Sequence, residues 1–201
     1  MNAPSTSPLL VVISGPSGVG KDTVVHHLKQ RGLPFHFVVT ATSRPKRLDE
    51  VHGVDYFFYS DAEFLKMLEG GELIEHALVY NEYKGVPKRQ VRDAMASGLD
   101  VVMRVDVQGA KTIKQLAPEA VAIFLMARDE GELARRLRLR KTESEEHLQT
   151  RLQAAREELL YLDLFDYRVV NADSEVEAAV STILAIIEAE HHRTRPRQVR
   201  L

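Results

Sequence analysis

The sequence lacks cysteine and tryptophan, and aromatic residues make up only 6% of its 201 positions. Without cysteine the chain has no disulfide framework, no thiolate zinc site and no thiol redox site, which is compatible with a reducing compartment. No apolar run reaches the roughly 18 residues needed to cross a bilayer, and residues 1–8 lack the basic and apolar segments of a signal peptide. We therefore expect a cytoplasmic protein with no membrane partner and a flexible N-terminus at residues 1–8.

An excess of charge of one sign is also missing. The chain has 27 Lys and Arg residues against 29 Asp and Glu, a formal net charge of −2, which gives no support to a nucleic-acid partner. With 44% hydrophobic and 28% charged residues, the composition indicates a compact domain and excludes disordered and fibrous classes. Residues 189–201 form a basic tail, which we interpret as a solvated, frayed terminus.

Apolar and β-branched runs alternate with helix-compatible stretches along most of the chain. These runs predict strands at residues 9–14, 35–40, 99–105, 121–125 and 167–170. Such alternation is typical of an α/β fold in which helices cover both faces of a parallel sheet. We therefore predict a three-layer α/β architecture with a parallel core sheet.

Two segments interrupt this alternation. Residues 44–92 predict an inserted α+β lobe, built from a strand at 55–59, a helix opened by the capping box Ser60 to Glu63, and an aliphatic run at 72–80. Residues 135–151 are rich in Arg and Glu and predict a helical cover, followed by a helix to about Leu160. A second capping box, Ser174 to Glu177, predicts a last amphipathic helix through about Glu188.

A glycine-rich loop follows the first predicted strand and precedes a predicted helix. It reads Gly15-Pro16-Ser17-Gly18-Val19-Gly20-Lys21 and matches the phosphate-binding pattern G-x-x-x-x-G-K in the context that this motif requires. Glycines let backbone N–H groups converge on phosphate oxygens, and Lys21 supplies a cation for the β and γ phosphates. Asp22 stands where a Ser or Thr hydroxyl would reach Mg²⁺, with Thr23 one residue later. Asp22 is therefore either a metal ligand or an acid that supports the first helical turn.

The motifs that follow this loop resemble the guanylate kinase family in order and spacing. They are Thr40-x-x-Ser43-Arg44-Pro45-Lys46-Arg47, Glu50-Val51-x-Gly53-x-Asp55-Tyr56-x-Phe58, Glu72-Leu73-Ile74-Glu75, Tyr83-Lys84-Gly85, Val105-Asp106-Val107-Gln108-Gly109-Ala110, Arg136-Leu137-x-x-Arg140-x-Thr142-x-Ser144-Glu145-Glu146 and Val169-Val170-Asn171. The resemblance covers about residues 9–188. It implies a P-loop kinase fold with its core at 9–39 and 93–188, a GMP-binding lobe at about 40–92 and a helical lid at about 136–152.

The same resemblance implies an activity. The γ-phosphoryl group of ATP would pass to GMP, and also to dGMP, to give ADP and GDP in purine nucleotide metabolism and GMP recycling. Mg²⁺ would bridge the phosphates, and no obligate protein partner is implied. Two other activities remain open: a small-molecule kinase of the ribose 1,5-bisphosphate type, whose loop the Lys21-Asp22 pair resembles, and a non-catalytic phosphopeptide-binding module.

Each substrate receives a set of residues from the resemblance. ATP would be bound by Gly15, Pro16, Ser17, Gly18, Val19, Gly20, Lys21, Asp22, Thr23 and, near the adenine, Asn171. GMP would be bound by Thr40, Arg44, Arg47, Tyr56, Glu75, Tyr83, Lys84 and Asp106, with Glu75 accepting hydrogen bonds from guanine N1–H and the exocyclic amine. Phosphoryl transfer would be assisted by Lys21, Arg44, Arg136, Arg140 and Arg151. The metal would be bound by Asp22 or Thr23, with Asp106 acting indirectly.

Besides Asp22, the chain departs from the family pattern at three positions. Lys84 stands where a second Tyr is usual, Val86 where a Ser or Thr is usual, and Arg104 where an acid is usual. A lysine can still bind a phosphate, whereas Val86 has no hydroxyl to offer guanine O6. Base selection is therefore expected to depend mainly on Glu75 and Thr40.

Overall fold

The computed structural model describes residues 7–79, 82–139 and 145–200, so most of the predicted flexible N-terminus lies outside it. Over these residues the chain forms nine strands and seven helices. The strands are β1 (Leu10–Ser14), β2 (Phe35–Phe37), β3 (Ala41–Thr42), β4 (Phe57–Phe58), β5 (Leu73–Val79), β6 (Glu82–Pro87), β7 (Asp100–Arg104), β8 (Val121–Met126) and β9 (Tyr167–Val170). The helices are α1 (Lys21–Gln30), α2 (Asp61–Glu69), α3 (Lys88–Ala96), α4 (Val107–Leu116), α5 (Glu130–Leu139), α6 (Glu145–Leu159) and α7 (Val176–His191).

Five strands form the core sheet in the order β2-β7-β1-β8-β9, and every neighbouring pair is parallel. The central strand is β1, in which Leu10 pairs with Val101 and Val11 pairs with Val121. All five of its residues are buried, as expected for a parallel strand covered on both faces. The predicted three-layer α/β fold with a parallel core sheet is confirmed.

Alternate side chains of β1 enter two separate hydrophobic cores. Val11 and Ile13 pack among apolar side chains of α1, α6 and α7, whereas Leu10 and Val12 pack among those of α3 and α4. This alternation follows from the period of two in a strand, which sends successive side chains to opposite faces. Because the strands are parallel, their carboxyl ends share one edge of the sheet, where open α/β sheets bind ligands.

A second sheet forms the inserted lobe in the order β4-β3-β6-β5. Strand β6 pairs antiparallel with both β3 and β5, and β3 pairs parallel with β4. Phe64 of α2 packs against this sheet, and the predicted capping box begins α2, with Ser60 Oγ accepting from the Glu63 N–H and the Glu63 carboxylate accepting from the Ser60 N–H. The strand predicted at 55–59 is shorter, because only Phe57–Phe58 pairs with β3.

The second predicted capping box is wrong. Ser174 has a φ of 61°, in the left-handed region, and the N-cap of α7 is Glu175, whose side chain makes no capping hydrogen bond to the helix backbone. The Glu177 carboxylate instead lies 2.5 Å from His27 Nδ1 and also binds the guanidinium of Arg31, both on α1. Packing between α1 and α7 therefore uses the acid that the sequence pattern assigned to the cap, and α7 runs three residues beyond its predicted end.

The basic tail is not frayed, contrary to our interpretation, because Arg197 is buried against the last helix. Its Nε donates to Glu190 Oε2 at 2.7 Å and its Nη2 donates to Glu190 Oε1 at 2.9 Å. Tyr167 donates its hydroxyl to the same carboxylate at 2.7 Å. The Glu190 side chain is wholly buried, and the hydrogen bonds from Arg197 above all lower its pKa to about 2.

We expect Arg197→Gln to lower the free energy of unfolding at pH 7 by about 3 kcal/mol, because Glu190 keeps a buried charge without its main partner. The pKa of Glu190 is depressed from 4.5, so this stabilisation is present above pH 4.5 and is lost as the pH falls toward 2. Urea unfolding at pH 7 and pH 3 should therefore show the two proteins converging in acid. The exposed Arg195→Gln is the matched control, and a loss below about 1 kcal/mol for Arg197→Gln would contradict the docked tail.

Candidate active site

The phosphate-binding loop joins the buried end of β1 to the start of α1. Gly15 has a φ of 136°, and a Cβ there would lie 2.0 Å from the carbonyl oxygen of Leu125, so no side chain fits. Gly20 is the N-cap of α1 in the left-handed conformation, which glycine adopts without strain. The loop therefore leads directly into a helix N-terminus, whose first N–H groups have no helical acceptor and favour an anion.

The Lys21 side chain folds back on this loop. Its Nζ donates to the carbonyl oxygens of Gly15 at 2.5 Å and Pro16 at 3.0 Å. Burial lowers the pKa of Lys21, against the attraction of nearby carboxylates, of which Glu158 is the strongest. The ammonium group thus lies at the centre of the loop, where a phosphate bound by the loop would meet it.

Two side chains from distant parts of the chain hold the loop in place. Asn171, which follows β9, is buried and donates from Nδ2 to the Val19 carbonyl at 2.8 Å. Arg136 of α5 donates to the same carbonyl at 3.2 Å, to the Asn171 carbonyl at 2.7 Å and to Asp173 at 2.8 Å. The family resemblance placed Asn171 near the adenine and gave Arg136 a part in phosphoryl transfer. In the structure both side chains donate hydrogen bonds to protein groups around the loop.

The other lid residues have different positions. Arg140 lies outside the described residues, and Arg151 is half-buried on α6. The same helix brings Glu158 close enough to act on Lys21, and burial raises the pKa of Glu158 to about 7 despite that attraction. Sequence reasoning missed Glu158 because it belongs to no recognised motif. Only the long helix predicted after the cover pointed to this region.

The residues assigned to the metal are Asp22, Thr23 and Asp106. The Asp22 carboxylate forms an ion pair with Arg104 at the end of β7, and Thr23 is exposed on α1. Asp106 is the N-cap of α4, where its Oδ1 accepts from the Gly109 N–H at 2.8 Å. Across residues 7–79, 82–139 and 145–200, no group of three or more His, Asp or Glu side chains could hold a metal ion. Mg²⁺ therefore fits here only if substrate phosphates supply most of its ligands and one or two carboxylates supply the rest.

Glu75 on β5 is only 4% exposed although β5 is an edge strand, and its Oε2 has no hydrogen-bond partner in the described chain. Helix α4 approaches it at Gly109, where a Cβ would lie 2.9 Å from that oxygen. Burial, and secondarily the Asp106 carboxylate, raise the pKa of Glu75 to about 8. Thr40 is also buried, at the junction between core sheet and lobe. A buried polar atom without a partner costs about 1 to 3 kcal/mol, so Glu75 is suited to a ligand that brings donors.

Arg44 and Tyr56 lie together in the lobe. The guanidinium of Arg44 donates to Glu50 at 2.6 and 2.8 Å and lies 5.2 Å from the Tyr56 ring centroid. Arg44 is the main cause of a pKa of about 2 for Glu50. Arg47 is exposed, and its backbone N–H donates to Glu50 at 2.9 Å. The motif containing Glu50 was recognised in the sequence, but its role in orienting Arg44 was not.

Strand β6 carries Tyr83 and Lys84, the remaining residues that the family resemblance assigns to GMP. The Tyr83 ring stacks on Phe64 with centroids 5.3 Å apart. Lys84 acts electrostatically on Lys21, so ammonium groups from the lobe and from the loop face a common region. Val86 pairs with Glu75 and is fully buried in the hydrophobic core, which makes it a packing residue in this structure.

Comparison with known proteins identifies the family, because the guanylate kinase family model matches residues 7–190. The chain belongs to the guanylate kinase family. It is 50% identical over 200 residues to Guanylate kinase 2, chloroplastic/mitochondrial, from Oryza sativa subsp. japonica, a match that covers 99% of this chain and 70% of that protein. It is 39% identical over 191 residues to a guanylate kinase from Carboxydothermus hydrogenoformans, covering 95% and 92% of the two chains.

A solved guanylate kinase structure also matches the fold. The crystal structure of guanylate kinase from Anaplasma phagocytophilum aligns with a TM-score of 0.78 at 31% identity, covering 94% of this chain and 89% of that one. The family resemblance recognised from the motifs is confirmed. In the described part of this guanylate kinase family member, no helix is long and apolar enough to cross a membrane.

Proposed function

We propose that this protein transfers the γ-phosphoryl group of ATP to GMP, and to dGMP, giving ADP and GDP. The observation that carries this proposal is the buried Glu75 carboxylate with an unpartnered oxygen, in a lobe opposite a phosphate-binding loop that has its lysine in place. Guanine presents N1–H and an exocyclic amine on one edge, and a carboxylate accepts from both. Adenine presents a ring-nitrogen acceptor there and would leave the carboxylate unpaired.

On the donor side, we assign the β and γ phosphates of ATP to Lys21 and to the N–H groups of residues 15–23. Phosphoryl transfer needs positioning and charge neutralisation more than covalent help, and both come from this loop. Asn171 and Arg136 are positioning residues in this proposal, because they fix the Val19 carbonyl and with it the shape of the loop. Arg140 and Arg151 are proposed to reach the transferring group from the lid at about 136–152.

On the acceptor side, we assign the GMP phosphate to Arg44, Arg47, Tyr56 and Lys84. Glu50 holds the edge of the Arg44 guanidinium while the Tyr56 ring lies near it, so Arg44 is oriented before a phosphate arrives. Forked guanidinium groups suit phosphate oxygens. Tyr83 and Asp106 complete the lobe side of the site, and Thr40 offers a hydroxyl to the base.

Mg²⁺ is the proposed cofactor, held mostly by phosphate oxygens, with Asp22 or Thr23 beside the loop and Asp106 acting indirectly. When bound, it neutralises phosphate charge. The region around Lys21 is charged, because the carboxylates of Glu158 and Asp106 both attract its ammonium group electrostatically.

The site gives less support to the two alternatives. A ribose 1,5-bisphosphate kinase has no use for a buried acid that reads guanine, and a phosphopeptide-binding module has no use for the folded-back Lys21. A coupled assay of ADP formation with GMP, dGMP, AMP, UMP or ribose 1,5-bisphosphate as acceptor separates these activities. We expect kcat/KM for GMP to exceed that for AMP by at least about 100-fold. Equal use of GMP and AMP would contradict the proposed function.

We propose the cytoplasm as the location of this protein. The absence of cysteine is compatible with a reducing compartment. The name of the rice relative places that protein in chloroplasts and mitochondria. Fractionation of cells that express the full chain, followed by immunoblotting, tests the location.

A further inference from the structure

Two of the departures from the family pattern, Asp22 and Arg104, are in contact. Asp22 follows the loop lysine on α1, and Arg104 ends β7, 82 residues later in the chain. Their side chains form an ion pair across the carboxyl edge of the core sheet. An acid in place of a hydroxyl and a base in place of an acid therefore compensate each other in charge at one point of the site.

Arg104 also reaches the lobe. Its guanidinium carbon lies 4.8 Å from the Tyr56 ring centroid, and its Nη2 donates to the Asp55 carbonyl at 3.3 Å. The Arg104 side chain is only 18% exposed, whereas that of Asp22 is 65% exposed. Arg104 thus connects α1, the core sheet and the segment that carries Tyr56, a residue proposed to bind the GMP phosphate.

The pair changes the charge that a bound polyphosphate meets. An arginine stays protonated at every pH at which proteins fold, so the Asp22 carboxylate faces a permanent cation. Without that cation, an exposed carboxylate next to Lys21 would repel phosphate oxygens. With it, the carboxylate is occupied and the guanidinium is held against Tyr56.

We propose that Asp22 and Arg104 act as one unit, in which Asp22 anchors Arg104 and Arg104 positions Tyr56 for the acceptor phosphate. Arg104 is then a positioning residue. Of the two residues proposed above beside Mg²⁺, this inference leaves Thr23, because Arg104 holds the Asp22 carboxylate. This inference rests on the proposed function, since it assigns Tyr56 to the phosphate of GMP. It explains why both unusual residues occur in the same chain.

The test is a double-mutant cycle of Asp22→Ser, Arg104→Gln and the double variant, with ATP and GMP binding measured by calorimetry without metal. Arg104→Gln should lower the affinity for GMP about tenfold, because Tyr56 loses its positioning contact. It should lower the affinity for ATP about fivefold, because the unpaired Asp22 carboxylate repels phosphate. Adding Asp22→Ser should restore ATP binding and leave GMP binding no worse. Asp22→Ser alone should lower the affinity for GMP about threefold. The Mg²⁺ concentration that gives the half-maximal rate should stay within twofold of the wild-type value.

Two further variants keep the test decisive. Arg104→Lys preserves the charge but not the planar fork, so it should retain ATP affinity and recover only part of the GMP affinity, even if Arg104→Gln folds poorly. The matched control is the exposed pair Arg89 and Asp93 on α3, changed to Gln and Ser. These changes should alter the affinity for neither ATP nor GMP.

The outcomes separate the two proposals. A wild-type protein that phosphorylates none of the tested acceptors overturns the proposed function. A wild-type enzyme active on GMP, combined with single effects that multiply independently in the double variant, overturns the coupling alone. A Mg²⁺ requirement raised tenfold or more by Asp22→Ser overturns the role given to Asp22 and makes it a metal ligand.

Discussion

Replacing Lys21 by alanine is expected to lower kcat with ATP and GMP by about 100- to 1,000-fold and to leave the Kd of GMP within about threefold. The ammonium group lies at the centre of the phosphate loop, where charge moves as the bond to ADP breaks. Because Lys21 is half-buried, its attraction to phosphate is screened less than it would be in water. Steady-state kinetics and calorimetric titration with GMP measure the two quantities separately.

The matched control for this prediction is Lys29→Ala on the same helix. Lys29 is exposed, and its removal changes the net charge by the same amount. We expect its kcat to stay within about twofold of wild type. A Lys21→Ala protein that kept its turnover and lost GMP affinity would show that Lys21 serves the acceptor instead of the transferring group.

The affinity for GMP is expected to rise about 50-fold between pH 6 and pH 8. The pKa of the Glu75 carboxyl is about 8, raised first by burial and then by Asp106. Only the ionised form accepts both guanine donors, so below this pKa the binding of GMP must release a proton. Calorimetry in buffers of different ionisation enthalpy should detect about one proton released per GMP at pH 6.5.

Glu75→Gln removes this titration and turns one of the two acceptors toward guanine into a donor. We expect GMP affinity at pH 8 to fall about 100-fold and ATP affinity to stay unchanged. Glu158 and the phosphate of GMP, whose second pKa is near 6, titrate in both the wild type and the variant. The difference between the pH profiles of the two proteins therefore reports Glu75 alone. Identical pH profiles for wild type and variant would show that another residue reads the base.

The same titration acts on the folding of the free protein. The pKa of Glu75 is higher in the folded state than the ordinary 4.5, so the folded state binds this proton more tightly than the unfolded state does. The stability that Glu75 contributes is present below pH 4.5 and is lost as the pH rises through about 8. The pKa of Glu158 is raised to about 7, so its contribution is likewise lost as the pH rises through about 7. Glu75→Gln should therefore flatten the fall in unfolding free energy between pH 5 and pH 8.

The sequence predicted those features that local patterns encode. The strand, loop and helix around Gly15 to Lys21 follow from contiguous residues, and so does the capping box at Ser60. The order of apolar runs and helices was enough to predict the parallel sheet, because such alternation has few compact solutions.

The features that sequence reasoning missed depend on contacts between distant residues. Glu158 acquires its raised pKa from burial near the loop, and Arg197 finds Glu190 only after the last helix has packed. Ser174 to Glu177 has the pattern of a cap, but the Glu177 carboxylate contacts His27 and the guanidinium of Arg31 on α1 instead. The pairing of Asp22 with Arg104 likewise has no local signal, since the order of strands in the sheet brings them together.

The position of β1 at the centre of the sheet has a consequence for biosynthesis. Its two partners, β7 and β8, begin about 90 and 110 residues later in the chain, whereas the strands of the lobe pair mostly with near neighbours in sequence. At about 5 to 20 residues per second, a ribosome needs roughly 5 to 20 seconds to make the first of those partners. The apolar β1 therefore waits unpaired on the nascent chain while the lobe can already fold, which makes it the segment that chaperones would have to shield first.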